Sequence, residues 1–367
     1  MPGRTAFTAA HLAAARLSPA SPAPGTAPGS SRTVAALLAL ALLLCGVLSA
    51  FPAPTSAAEP VAVQLLDRMP DGKRIGYWVP VNFTGKEPVP LLLDTGSKGL
   101  MVMASRLGNA PVKRTGRRMT QVFMDGTTFQ GEIVRTKVTI GNVTTPEPVF
   151  ILAVNKATCA KDRPDCPARL FGDKGPGGIM GVGLGDVTSL DNPLEYLPPA
   201  HSGGFIIQGR GAGGFAFLTL GLTPGNRAGF TLFPVPRTKL TLSWRDAFFA
   251  INALPGCVTL EGAGDKPLCG RFLLDSGSSV SIISQPSNAK GSTPGRIGDQ
   301  LPSGKRVTVA FEGMPPLSLT NTTTPWGDAF RLAQGDKGHS ILGAGFFTRF
   351  DVLYDIKGSA IGLRPAR

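Results

Sequence analysis

The chain has 367 residues with 47 Gly, 33 Pro and only 17% charged side chains, which disfavours long helices and favours short strands joined by turns. Its 42% hydrophobic content excludes a disordered chain, and its length suffices for one large domain or two ordinary ones. The net charge of +13 is scattered, with short clusters only at Lys113-Arg114 and Arg117-Arg118, so a basic soluble surface is expected and nucleic acid is not an expected partner.

Residues 1–58 carry Arg4, Arg16 and Arg32 and no acidic residue, and an apolar run of 18 residues extends from Val34 to Phe51. Small residues follow around Thr55-Ser56-Ala57-Ala58. A basic segment, an apolar segment and a small-residue cleavage zone form the pattern of an export signal to the periplasm or the medium. Left uncleaved, residues 34–51 are long enough to anchor the chain in a bilayer.

After the leader, Arg74–Phe83 and Val89–Leu93 read as strands around a turn at Gly85–Pro90. Met119–Ile140 reads as a hairpin with Asp125-Gly126 at its turn. Pro148–Val154, Phe205–Gln208 and Phe215–Leu220 follow as strands, and Leu222–Arg237, rich in Gly, Pro and Thr, marks a lobe boundary. Beyond it, Ala247–Leu254, Arg271–Leu274, Arg306–Phe311 and Ala329–Leu332 are further strands, so the fold class is all-β. Four cysteines remain outside the leader. Cys159 with Cys166 and Cys257 with Cys269 are close in sequence, which favours two small-loop disulfides in an oxidising compartment. The rival reading, zinc held by all four, lacks a C-x2-C spacing. With three His in the whole chain, neither a metal nor another cofactor is expected.

The strongest signal is a repeat. Leu92-Leu93-Asp94-Thr95-Gly96-Ser97 returns as Leu273-Leu274-Asp275-Ser276-Gly277-Ser278, the second aspartate 181 positions after the first. Each copy is followed by two apolar residues and Gly, Ile179-Met180-Gly181 in the first half and Ile341-Leu342-Gly343 in the second. Two copies, each closing an apolar strand, are hard to obtain by chance. In each, the strand delivers a carboxylate to the end of a buried ladder and Thr95 or Ser276 supplies a hydroxyl for backbone. Gly96 or Gly277 permits close approach of a second backbone. Ser97 or Ser278 is placed to hydrogen-bond the carboxylate. Two carboxylates sharing one site cannot both ionise, so one proton is held between them. Such a pair can activate water and polarise a carbonyl without a metal or a covalent intermediate.

From about residue 75 to 364 the sequence resembles the pepsin family of aspartic peptidases. LLLDTGSKGLMV (91–102) and FLLDSGSSVSII (272–283) resemble its two active-site turns, FMDGTTFQGEIV (123–134) its flap, and ILGAGFFTRFDVLYDIKGSAIGL (341–363) its C-terminal signature. The resemblance implies a bilobal fold with a central cleft, Asp94 and Asp275 as the catalytic pair, and Phe123, Met124, Asp125 and Gly126 at the flap tip. It divides the chain into a leader at 1–58, an N-terminal lobe at 59–225 and a C-terminal lobe at 226–367. A monomer acting on peptide or unfolded protein is expected, most active in acid, with the lower carboxyl pKa kept low by Ser97 and Ser278. Two departures stand out: Phe123 or Met124 replaces the family's flap Tyr, and Met101 replaces its Trp after the first Asp. Losing both together leaves no polar group unpaired. Glu59–Arg74 is too short for the family's inhibitory prosegment, so none is expected.

Overall fold

The computed structural model describes residues 59–68, 74–83, 87–171, 175–184, 188–209, 214–236, 250–262, 266–285, 297–334 and 339–366. The expected leader, with its bilayer-length run at 34–51, lies outside the described residues, as does part of the expected turn at 85–90. Among the described residues no helix is long and apolar enough to cross a membrane.

The described chain opens with β1 (Val61–Arg68), β2 (Arg74–Asn82), β3 (Val89–Asp94) and β4 (Lys98–Met103). The long hairpin β5 (Lys113–Val122) and β6 (Thr127–Thr136) follows, then β7 (Thr139–Ile140), β8 (Val143–Thr144), β9 (Val149–Cys159) and β10 (Gly178–Val182). β11 (Phe205–Gln208), β12 (Ala216–Leu220) and β13 (Thr231–Pro234) lead into the second half. There the strands are β14 (Ala253–Leu260), β15 (Leu268–Leu274), β16 (Ser281–Gln285), β17 (Ile297–Gln300), β18 (Arg306–Phe311) and β19 (Leu317–Thr320). β20 (Phe330–Gln334), β21 (His339–Leu342), β22 (Phe350–Asp355) and β23 (Ala360–Pro365) complete the chain. The all-β expectation holds, and short strands separated by Gly and Pro account for it.

Two sheets result. Among the described residues the 15-stranded one follows the path β13-β23-β22-β11-β12-β1-β2-β3-β10-β4-β9-β6-β5, with β7 and β8 branching from β2, and the 8-stranded one runs β17-β20-β16-β21-β15-β14-β18-β19. Strands near the C-terminus therefore complete the larger sheet, through β22 on β11. Along β3, Val89, Leu91 and Leu93 are buried while Pro90 and Leu92 are half-buried, the period-2 pattern of a strand with one face on the core. Fully buried Leu91, Leu93 and Leu274 each contribute about 2 kcal/mol of burial. That energy fixes the register in which the two Asp residues emerge.

Three expectations need correction. The hairpin spans Lys113–Thr136, not Met119–Ile140, because β5 is an edge strand exposed along most of its length and so shows no apolar alternation. Thr139–Ile140 pairs instead with β2 and β8. The strand expected at Ala247–Leu254 begins at Ala253, after a helical turn at 250–252, with 247–249 outside the described residues. The first strand, expected at Arg74, is preceded by β1, paired to β12 from Val61↔Leu220 to Leu65↔Ala216.

Both expected disulfides are present. Cys257 and Cys269 face each other across β14 and β15, and Cys159–Cys166 closes the loop after β9. They suit an oxidising, exported environment.

Candidate active site

Each half of the site is built from three strands. In the first, β10 lies between β3 and β4, parallel to β3 with Ile179↔Leu92, Met180↔Leu93 and Gly181↔Asp94. In the second, β21 lies between β15 and β16, parallel to β15 with Leu273↔Ile341 and Leu274↔Leu342. The apolar-apolar-Gly elements are thus the strands laid beside the two Asp strands. A Cβ on Gly181 would sit 2.8 Å from Ser97 Oγ, and one on Gly343 2.7 Å from the Val280 carbonyl oxygen. Only Gly lets these strands pass so close to the turns.

The two Asp turns meet through their hydroxyl residues. Thr95 Oγ1 donates to the Leu274 carbonyl and Ser276 Oγ to the Leu93 carbonyl, both at 2.6 Å. In return the Ser276 N–H reaches Thr95 Oγ1 at 2.9 Å and the Thr95 N–H reaches Ser276 Oγ at 3.2 Å. Both side chains are fully buried, so these bonds are the alternative to orphaned polar groups. Gly96 and Gly277 finish the approach: a Cβ on Gly96 would fall 2.3 Å from Asp275 Cγ, and one on Gly277 2.6 Å from Asp94 Oδ1. Asp94 and Asp275 are thereby brought together.

Their surroundings differ. Asp94 accepts the Gly96 N–H at 2.8 Å and the Ser97 hydroxyl at 2.5 Å. Asp275 accepts the Gly277 N–H at 2.9 Å, but Ser278 Oγ donates to the Val280 carbonyl at 2.7 Å instead. The expectation that the Ser278 hydroxyl bonds its carboxylate is therefore corrected: that hydroxyl is taken by the Val280 carbonyl, and Ser278 acts on Asp275 through its backbone N–H. Burial raises both carboxyl pKa values above the ordinary range. On Asp94 the Ser97 hydroxyl, the Asp275 carboxyl and the Gly96 N–H work against that rise, whereas the Asp94 charge drives Asp275 well upward. The pair thus favours an ionised Asp94 beside a protonated Asp275. The expected low value for the lower pKa is also corrected, since desolvation outweighs the donors on Asp94.

The flap tip is the turn Phe123–Gly126. The Gly126 N–H donates to the Phe123 carbonyl at 3.0 Å, Asp125 Oδ1 accepts the Thr127 N–H at 2.8 Å, and Gly126 takes φ +91°. Met124 and Asp125 are exposed, and the Asp125 charge also pushes Asp94 upward. Phe123 packs edge-on against Phe129 at 5.5 Å between ring centres, in the same apolar cluster as Met101. The two departures from the family pattern therefore meet in one dry cluster. Behind the tip, β6 pairs along β9 as far as Thr127↔Cys159, and the Ala160 N–H donates to the Gly126 carbonyl at 2.8 Å. The Cys159–Cys166 loop braces the flap.

Sequence reasoning missed several supporting residues. Tyr354 is fully buried, stacks on Phe205 and points its hydroxyl at the Leu274 carbonyl, 3.4 Å away, one residue before Asp275. Burial in this site raises its phenol pKa. Lys98, directly after Ser97, is buried and pairs with Glu195 at 3.1 Å. Asn252 holds Leu184 by its N–H at 2.6 Å and its carbonyl at 3.1 Å. Only the Tyr354-Asp355 dipeptide in the C-terminal signature hinted at any of these.

A family model described as the PE-PGRS C-terminal aspartyl peptidase-like domain matches residues 73–326. No curated protein matches the chain. Among solved structures, the aspartic proteinase from Irpex lacteus superposes with a TM-score of 0.53 at 16% identity, covering 84% of this chain and 98% of that one. At that identity the likeness shows the fold: a pepsin-like, bilobal, mostly β architecture.

Proposed function

The chain belongs to the PE-PGRS C-terminal aspartyl peptidase-like domain family, and on that premise we propose that it is an exported aspartic endopeptidase. The observation that carries this reading is the reciprocal Thr95–Ser276 bonding, which brings the buried Asp94 and the half-buried Asp275 together with only Asp94 given a hydroxyl donor. Ionised Asp94 takes a proton from a bound water as its oxygen attacks the peptide carbonyl carbon. Protonated Asp275 donates its proton to the carbonyl oxygen, giving a gem-diol. One hydroxyl of that diol then returns its proton to Asp275 as its carbonyl re-forms. Asp94 passes its proton to the leaving nitrogen and the C–N bond breaks. All protons balance and no cofactor is consumed.

The substrate on this reading is an extended peptide or unfolded protein, apolar around the scissile bond, handled by a monomer in the periplasm or medium. Residues 34–51 are the anchor if the leader is retained. Activity follows a bell in pH. The acid side marks protonation of Asp94 and the alkaline side ionisation of Asp275, and because both pKa values are raised the bell lies above the ordinary carboxylate range.

A non-hydrolytic peptide-binding role is the second reading, favoured by Phe123, which gives the flap no hydroxyl to bond across the cleft. One experiment separates them. The exported protein with its disulfides formed is assayed on an unfolded protein from acid to neutral pH, beside Asp94→Asn and with a statine-type inhibitor. Cleavage that the mutant and the inhibitor abolish supports the peptidase. Tight inhibitor binding without cleavage supports the binding role.

A further inference from the structure

Trp326 holds a backbone conformation that bulky residues rarely adopt. Its φ is +63°, and it is one of two non-glycine residues with positive φ among the described residues. A strained residue persists only where its surroundings over-determine it. Here they do. The Trp326 N–H donates to the Ser279 carbonyl at 2.7 Å, and Ser279 lies four residues after Asp275 on the same turn. The Gly327 N–H bonds back to Thr324, the Thr322 N–H bonds to Asp328, and the Asp328 carboxylate pairs with Arg349 at 2.7 Å. A Cβ on Gly345 would strike the Gly327 carbonyl oxygen at 2.2 Å, so the loop is pressed onto the segment after Gly343.

The indole of this clamped residue reaches the other half of the site. A Cβ on Gly76 would lie 2.7 Å from Trp326 Cζ3, and Gly76 itself has φ +94°. Gly76 lies two residues before Trp78, whose strand partner Leu92 lies two before Asp94. Trp326 thus touches the turn of one aspartate by its backbone and a strand flanking the other by its ring. Trp326 is half-buried, packed against the core with part of its surface left open. No role in the catalytic chemistry accounts for it.

Resting on the peptidase reading, we propose that the Trp326 indole is a specificity-determining wall of the substrate channel, one that packs against an apolar substrate side chain on one side of the scissile bond. Because the ring spans the two halves, it also limits how bulky that side chain can be.

The test compares the full exported chain with Trp326→Gly and Trp326→Phe on a peptide library varied at each position around the cleavage point. Trp326→Gly suits the backbone, since Gly takes φ +63° without strain and only the ring is lost. In Trp326→Gly, kcat/KM for the preferred apolar residue should fall about tenfold at one position only, carried by KM with kcat within about twofold. Trp326→Phe should restore most of that loss, and the pH profile should not move. Unchanged preferences in an active Trp326→Gly, or a uniform loss of kcat at all positions, would overturn the proposal. If the wild type cleaves nothing, the peptidase reading fails while the wall is still read by binding. A statine-type peptide should then alter the indole fluorescence of the wild type but not of Trp326→Phe. An equal change in both, or no binding, would sink the wall as well.

Discussion

The two Asp turns carry nearly the same letters, DTGS at 94–97 and DSGS at 275–278, yet they are equivalent only as far as their third residue. Thr95 and Ser276 mirror each other, each reaching the carbonyl before the opposite aspartate at 2.6 Å. Two positions later the mirror fails. Ser97 turns inward to Asp94, while Ser278 turns along its own chain to the Val280 carbonyl. The lesson is a division of labour: the symmetric residues position the pair and the asymmetric ones tell its members apart. A strictly symmetric site would leave two buried carboxyls with no reason to differ.

Removing either carboxylate is the largest expected effect. Asp94→Asn and Asp275→Asn should each lower kcat by about a thousandfold, since either half alone supplies only base or only acid. A variant that kept most of its turnover in a single-turnover assay would show the pair to be unequal beyond protonation state.

Next come the symmetric hydroxyls. Thr95→Val and Ser276→Ala each orphan a buried N–H and take a donor from a carbonyl, so each should cost roughly 1–3 kcal/mol in urea unfolding, with similar values for the two. A large difference between them would break the mirror at its firmest point.

The asymmetric serines should then separate. A hydrogen bond to a charged group contributes roughly 1.5–3 kcal/mol, so Ser97→Ala should lower kcat/KM about tenfold on the acid side of the pH profile. Its acid limb should also move upward, because a donor that lowers the Asp94 pKa is gone. Ser278→Ala should leave both limbs in place. Equal shifts from the two mutants would contradict the asymmetry read from the geometry.

The smallest effect is on stability. Asp275 has its folded pKa raised above the ordinary value near 3.8, so the folded state binds more protons than the unfolded one between those two values. Stability must then fall as pH rises through that window and stay lowered above it. Asp275→Asn should flatten the slope of melting temperature against pH. An unchanged slope would place the buried proton elsewhere.

Much of this was legible in the chain itself. The repeat marked both aspartates and both neighbouring glycines, and the apolar runs before them marked the strands β3 and β15, because strand burial imprints a local period on the sequence. The Cys pairings were legible because the members of each pair lie close in sequence. Less visible were the strands that carry no such imprint. β5 is a basic edge strand that faces solvent, and β1 is defined by its pairing with β12 across a long stretch of chain.

What the sequence determined by itself is the chemistry on offer: two carboxylates in matched turns, and a hairpin tip with Phe123 and Met124 where a tyrosine was looked for. Tertiary structure alone decided which carboxylate keeps a hydroxyl partner, since Ser97 and Ser278 are the same letter in the same motif and differ only in the acceptor that the fold leaves nearest. It also decided that Tyr354, far from either aspartate in sequence, reaches the Leu274 carbonyl, and that Trp326 bridges the Asp275 turn and the strand beside β3. Hydrogen-bond choice and long-range packing depend on where several chain segments meet in space, and no local pattern of residues records that.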